Sequence, residues 1–321
     1  MNNLLIVDAH CDVITKIMRT NEELYSNTLH FDIHRAKKYK SFVQFFAAYV
    51  SPDYCPANAY RRCTDIIRNF KAQVEKNSEH VIHVTKYKHI ENAVSQHKIA
   101  AILTIENGAA LEGDINKLDE FYKLGVRSIG LTWNGSNQIA CGVGGNNLEF
   151  GLTSFGFEVV KHMNKLGMLV DVSHINEASF WDVISTTIAP IIASHSNAKK
   201  LCPHQRNLTC DQFKALIKNG GVTGINLCPP FLNKSGTANI NDILNHIEHF
   251  MSLGGENNIG IGADFDGISS TPEGIRGVED LGEILDALLR INYTEEHVQK
   301  IAGLNFLRVL NEVTGHNIIR L

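Results

Sequence analysis

Eight short runs rich in Val, Ile, Leu, Phe and Ala recur along the chain: LLIVDAH (4–10), FVQFFAAYV (42–50), AAILTIE (100–106), RSIGLTW (127–133), MLVDVSH (168–174), PIIASH (190–195), GVTGINL (221–227) and NIGIGAD (258–264). Most are continuously apolar, the pattern of parallel strands covered by helices, not the alternation of a half-exposed sheet. Helical patterns stand between them at 57–77, 115–124, 154–166, 177–185, 209–218 and 240–253. The Leu-Gly pairs at 124–125 and 166–167 and the Asn-Gly-Gly at 219–221 are helix stops just ahead of the next strand. Eight βα units of this size predict an α/β fold of the (β/α)8 TIM-barrel type; periodicity alone also fits an open doubly wound sheet.

The polar residues favour the barrel. Active sites of such barrels lie at the C-terminal ends of the strands, which is where His10, Asp12, Glu106, Trp133, His174, His195 and Asp264 fall. In VDAHCDV, strand alternation turns Asp8, His10 and Asp12 to one side. Each residue alone has a plain alternative: Glu106 precedes an Asn-Gly turn, the histidines could be buried and bonded to backbone, and the aspartates could be caps. Together, three imidazoles and three carboxylates at the ends of five strands are costly to bury without a shared partner. Metal ions are the simplest such partner. The set exceeds the three protein ligands of a mononuclear catalytic zinc and suits two ions sharing one carboxylate, which points to hydrolysis by an activated water.

Composition narrows the classes further. At 321 residues, 44% hydrophobic and 20% charged, with no low-complexity stretch or Pro/Ser-rich linker, the chain reads as one domain over 1–321. A net charge of −4 with scattered lysines and arginines argues against nucleic acid. The N-terminal segment lacks a basic n-region, and no run approaches the roughly 18–20 apolar residues of a membrane span, so a cytoplasmic protein without membrane partners is expected. Seven cysteines without a CxxC pair read as reduced thiols, Cys11 among them as a small buried hydrophobe. The CGVGGNN stretch at 141–147 does not match GxGxxG and reads as a mobile loop; no GxSxG elbow or P-loop is present, and Ser173 and Ser194 read as structural.

The motifs VDAHCD, TIENG, GVRSIGLTWN, GLTSFGFEVVKHMNKLGMLVDVSH, IIASHS, HQRNLT, IGIGADFDG and IAGLNFLRVL occur in that order. In this order the chain resembles the membrane (renal) dipeptidase family of binuclear zinc peptidases, and in particular its bacterial cytoplasmic members. The resemblance implies a metal-dependent dipeptidase with two zinc ions per chain, manganese being the alternative ion. His10 and Asp12 would bind one ion, His174 and His195 the other, and Glu106 would bridge them, where many related barrel hydrolases use a carboxylated lysine. Asp264 would take the proton of the metal-bridging water and pass it to the leaving amine. Arg206 matches the arginine that holds substrate; its planar fork suits a C-terminal carboxylate, although spacing alone equally allows a surface pair with Asp211. Asp266 reads as a turn residue, and Asp8 as a group that supports the strand end. Trp133, followed by Asn134, stands where mammalian members carry a histidine, and Phe231 where a carboxylate-binding tyrosine is expected. Trp133 and Asn134 remain candidates for substrate binding, since an indole donates one N–H but cannot act as acid or base near neutrality. The family implies dipeptide substrates, tolerance of a C-terminal D-residue, and a homodimer. The departures keep two other readings open: a barrel metallohydrolase acting on a cyclic amide, lactone or N-acyl amino acid, and a metal-bearing binding protein without turnover.

Overall fold

The computed structural model describes residues 4–315. Nine strands form one all-parallel sheet: β1 (Leu5–Cys11), β2 (Ser41–Tyr49), β3 (Val81–Val84), β4 (Ile99–Glu106), β5 (Val126–Gly130), β6 (Leu169–Asp171), β7 (Ile192–Ala193), β8 (Val222–Ile225) and β9 (Ile259–Ile261). The order β2-β1-β9-β8-β7-β6-β5-β4 closes through a β2–β4 pairing into an eight-stranded barrel surrounded by helices. The open doubly wound alternative is thereby excluded. β3, absent from the sequence reading, lies outside this ring: it pairs with the first half of β4, from Val81 opposite Ile99 to Val84 opposite Ile102. β5 pairs along the second half of β4.

The helices Ala59–Lys76, Asn116–Leu124, Ser154–Leu166, Glu177–Thr186, Cys210–Lys218 and Ile240–Ser252 match the six expected ones to within two residues at each end. Gly125 (φ 102°) and Gly167 (φ 69°) end their helices in the left-handed conformation that glycine adopts without steric penalty. Further helices cover Val13–Thr20, Tyr87–Ser95, Leu281–Arg290 and Asn305–Thr314. The last of these buries Phe306 and Leu310 in a cluster with Val7, Val43, Ala100, Leu169, Ile192 and Val222, all from barrel strands. That apolar packing leaves the polar residues to the strands' C-terminal ends.

The first strand departs from simple alternation. Asp8 lies opposite Gln44, but Cys11 lies opposite Phe46, so one extra residue is inserted between them, as in a β-bulge. The bulge leaves Asp8 and Cys11 on the face of Phe42, Gln44 and Phe46 and turns His10 to the other face. The expected shared face of Asp8, His10 and Asp12 is thus corrected. Asp8 instead accepts hydrogen bonds from Ala263 N (2.7 Å) and Gln44 Nε2 (2.9 Å), tying β1 to β2 and to the segment after β9.

Candidate active site

Glu106 is the last residue of β4, and His10 the penultimate residue of β1. Asp12 precedes helix Val13–Thr20 without capping it through its side chain. The other candidates stand on the loops just past the strands. Asp264 (φ 60°) and Asp266 (φ 67°) adopt the left-handed conformation, uncommon for non-glycine residues and enriched for Asp and Asn. Directly after them, Gly267 leaves space that a Cβ would take from the Asp12 and Asp264 carboxylates.

The side chains converge in two groups that share a carboxylate. In the first, His10 Nε2 lies 3.3 Å from Asp12 Oδ2 and 3.6 Å from Glu106 Oε2. In the second, His174 Nε2 lies 2.8 Å from Glu106 Oε1 and 2.9 Å from His195 Nε2. Within each triad the donor atoms lie within 4.8 Å of one another, and so do those of His10, His195 and Asp264.

Hydrogen bonds around the site specify what these atoms present. Asn134 Oδ1, an acceptor, takes the His174 Nδ1–H at 2.9 Å. Ser194 Oγ donates to Asp171 Oδ2 and therefore accepts the His195 Nδ1–H at 2.7 Å. Both Nε2 atoms then carry lone pairs aimed at each other, and that of His174 also at a Glu106 oxygen, a repulsion that Arg206 Nη2 relieves only at His174 and that a cation resolves for both. Asp12 Oδ1 is buried without a partner, a second donor with an unmet demand. The residues fit a binuclear metal site.

The electrostatics agree. Burial and the nearby Arg206 push His174 down to about 4, and burial with His10 and Arg206 holds His195 well below its ordinary value, so both are neutral, as metal ligation requires. Burial alone would raise Glu106, but the charge on His10 and its hydrogen bond outweigh it and hold the carboxyl well below its usual range. Burial likewise opposes charge on His10, yet Glu106 and Asp12 raise it well above its ordinary value, so in the ion-free site this imidazole holds a proton that a bound ion displaces. Asp264 goes the other way: burial pushes it up to about 7, with Asp12 and Glu106 adding to the shift, while Asn226 Nδ2 donates to its Oδ2 at 2.9 Å.

Arg206 is 4% exposed and not a surface partner of Asp211. Its Nη2 donates to His174 Nε2 (3.1 Å) and the His195 carbonyl (3.3 Å), whereas Nη1 is buried without a partner. It borders a cavity of about 400 Å³ above the triads, together with Trp133, Phe231, Tyr49 and Asn134. Trp133 packs tilted between Tyr49 (5.5 Å between ring centroids) and His174 (6.2 Å). Asn134 borders this space, but its carbonyl oxygen is already spent on His174. Asp266 is more than a turn residue: its buried carboxylate accepts from His30 N (2.7 Å) and Phe31 N (3.3 Å), pinning the segment after helix Val13–Thr20 to the barrel mouth. The 141–147 stretch, expected as a mobile loop, is anchored in its first half. Val143 N donates to the His174 carbonyl at 2.9 Å, and Gly142 abuts the carbonyls of Trp133 and Asn134 with no room for a Cβ.

The sequence reading missed Asp171, Asn226 and Tyr49. In the structure Tyr49 and Asp171 close their strands and Asn226 directly follows one, but Asp171 lies inside the run read as 168–174, and groups that act through other side chains carry no metal-type spacing. Asp171 also accepts from Ser173 Oγ (2.8 Å) and the backbone N of Ser173 and Ser194, which makes it the anchor of the His195 relay. Replacing Ser194 with Ala removes the acceptor that fixes the His195 tautomer. The expected result is metal affinity about 10–100-fold weaker with an unchanged fold, read by chelator competition and circular dichroism; unaltered affinity would discount the relay.

Residues 1–317 match the family model for the membrane dipeptidases, peptidase family M19. The chain is 36% identical over 233 residues to an uncharacterized protein from the pqqA 5' region of Klebsiella pneumoniae, covering 70% of this chain and 86% of that one. It is 33% identical over 305 residues to an uncharacterized dipeptidase of Schizosaccharomyces pombe, covering 88% and 72% respectively. In three dimensions it is similar to a Rhodobacter sphaeroides metallopeptidase solved with a phosphinate mimic of the dipeptide L-Ala-D-Ala, with a TM-score of 0.89 at 25% identity over 97% of this chain and 99% of that one. The chain belongs to the membrane dipeptidase family, peptidase family M19, and its binuclear site is that of a metal-dependent peptide hydrolase.

Proposed function

We propose that the chain cleaves dipeptides with two zinc ions per chain, His10 and Asp12 holding one, His174 and His195 the other, and Glu106 bridging both. The observation that carries this reading is the pair of triads sharing Glu106 beneath a cavity that is also bordered, beside His174, by an unpartnered guanidinium nitrogen. Two divalent ions in such a site supply a nucleophile from water at neutral pH and polarise the carbonyl under attack. The chain's own groups do the rest. Arg206 Nη1 receives the substrate's C-terminal carboxylate, the Trp133 and Tyr49 rings wall the cavity, and Asn134 and Ser194 keep the imidazoles turned toward the centre. Asp264, held near neutrality by its burial, accepts a proton at its carboxylate and returns it to the departing amine. The mimic bound by the R. sphaeroides enzyme supports a substrate with a D-residue at the C-terminal position.

No helix among the described residues is long and apolar enough to cross a membrane, and all seven cysteines are free thiols, which supports our assignment of the chain to the reducing cytoplasm. Dialysis against a chelator is expected to abolish hydrolysis of L-Ala-D-Ala and L-Ala-L-Ala, and zinc to restore it, with about two ions bound per chain. Full turnover by exhaustively demetallated protein contradicts the proposal. Cleavage of N-acetylated amino acids or cyclic amides in place of dipeptides redirects it to another barrel hydrolase, since a dipeptidase requires the free amine.

A further inference from the structure

Most charges bordering the cavity are already committed. Asp12 and Glu106 belong to the metal triads, Asp266 is spent on backbone N–H groups, Asp264 lies beside the triads, and Arg206 supplies a carboxylate receptor. Two others are not. Lys16 and Arg19 border the same cavity from helix Val13–Thr20, both are exposed, and neither side chain has a hydrogen-bond or ion-pair partner among the described residues. Three positions apart on a helix, they lie on one face and act on one region of space. No acidic residue other than the four buried ones named above borders the cavity, Asp12 among them within reach of the Lys16 charge, and none is exposed beside Lys16 and Arg19, so the outer end carries an excess of positive charge.

The barrel topology decides which part of a dipeptide meets that charge. Arg206 follows β7, whereas Lys16 and Arg19 follow β1, with β8 and β9 between them round one side of the ring and β6, β5, β4 and β2 round the other. A dipeptide with its C-terminal carboxylate on Arg206 and its scissile carbonyl above Glu106 extends its N-terminal residue toward helix Val13–Thr20. Resting on the dipeptidase reading above, we propose that Lys16 and Arg19 select dipeptides whose N-terminal residue carries an acidic side chain.

Exposed charge pairs contribute factors of roughly 1.5 to 5 each, so the two together give the wild-type holoenzyme a preference for Glu-Ala over Gln-Ala of roughly two- to 25-fold in kcat/KM. The preference resides mainly in KM and shrinks as salt is raised from about 0.05 to 0.5 M, because exposed charges are screened. Ala-Glu gains no such advantage over Ala-Gln. In K16Q/R19Q the Glu-Ala to Gln-Ala ratio falls to about one, and in K16E/R19E the preferred partner becomes Lys-Ala. A wild-type ratio near one, a ratio that survives both variants, or an acidic preference confined to Ala-Glu overturns the inference while leaving dipeptide cleavage intact. Failure of all four dipeptides to be cleaved strikes at the dipeptidase reading. The inference is then decided by calorimetric affinities of Glu-Ala and Gln-Ala for the wild-type holoprotein and K16Q/R19Q, with the same ratios supporting or overturning it.

Discussion

Replacing Asp264 with Asn lowers kcat by about 10³-fold while two metal ions remain bound. The magnitude follows from the range of roughly 10²–10⁴ for a positioned proton carrier. The substitution is nearly isosteric, and the new side-chain oxygen can still accept from Asn226 Nδ2, which donates to Asp264 Oδ2 at 2.9 Å. What disappears is a group that can gain and lose a proton near neutral pH. Burial pushes the Asp264 carboxyl up to about 7, with the Asp12 and Glu106 carboxylates adding to the shift, whereas an amide does not titrate. The variant also separates two roles, because Asp264 lies within ligand reach of His10 and His195. As a proton carrier its loss leaves metal content at two ions per chain and KM little changed; as a ligand its loss releases an ion. Turnover equal to wild type would remove Asp264 from the chemistry altogether.

The barrel and its centre were legible because both are written in local patterns. Continuous apolar runs specify buried parallel strands, and a titratable residue closing such a run has few reasons to be there. The structure gathers His10, Asp12, Glu106, His174, His195 and Asp264 into one site. What escaped depends on contacts between segments distant in sequence. The bulge that turns His10 away from the Asp8 face is a mismatch of register with β2, invisible from β1 alone. β3 escaped because VIHV is four residues long and contains a half-buried histidine, His83, that breaks the apolar pattern. Helix Val13–Thr20 follows β1 with only Asp12 between them, so the apolar run continues into it without punctuation. Arg206 was recognisable only through resemblance: it sits on a loop eleven residues past His195, and nothing local shows that its side chain is buried. Asn134 was read as a substrate contact because it borders the strand end, while its carbonyl is in fact engaged by His174.

Replacing Glu106 with Gln is expected to weaken metal binding more than 100-fold, beyond the 10–100-fold loss typical of a group that merely supports a ligand, and to bring hydrolysis below detection. Glu106 is the one side chain common to the His10/Asp12 and His174/His195 triads, and its two oxygens point to different histidines: Oε1 to His174 at 2.8 Å and Oε2 to His10 at 3.6 Å. A carboxylamide keeps the shape but has one acceptor where the carboxylate has two, and it removes the negative charge that offsets two divalent ions in a buried space. Its N–H2 also donates to the lone pair of His174 Nε2, replacing the repulsive contact that the wild-type carboxylate makes there at 2.8 Å in the absence of an ion. The variant therefore favours the empty site on two counts, and neither requires the barrel to unfold. Melting temperatures of the ion-free wild type and Glu106→Gln are expected to differ by no more than a few degrees, whereas zinc stabilises only the wild type, as ligand binding to the folded state requires. Zinc raising the melting temperature of both proteins equally would show that the two ions do not share Glu106 and would leave the two triads as separate sites.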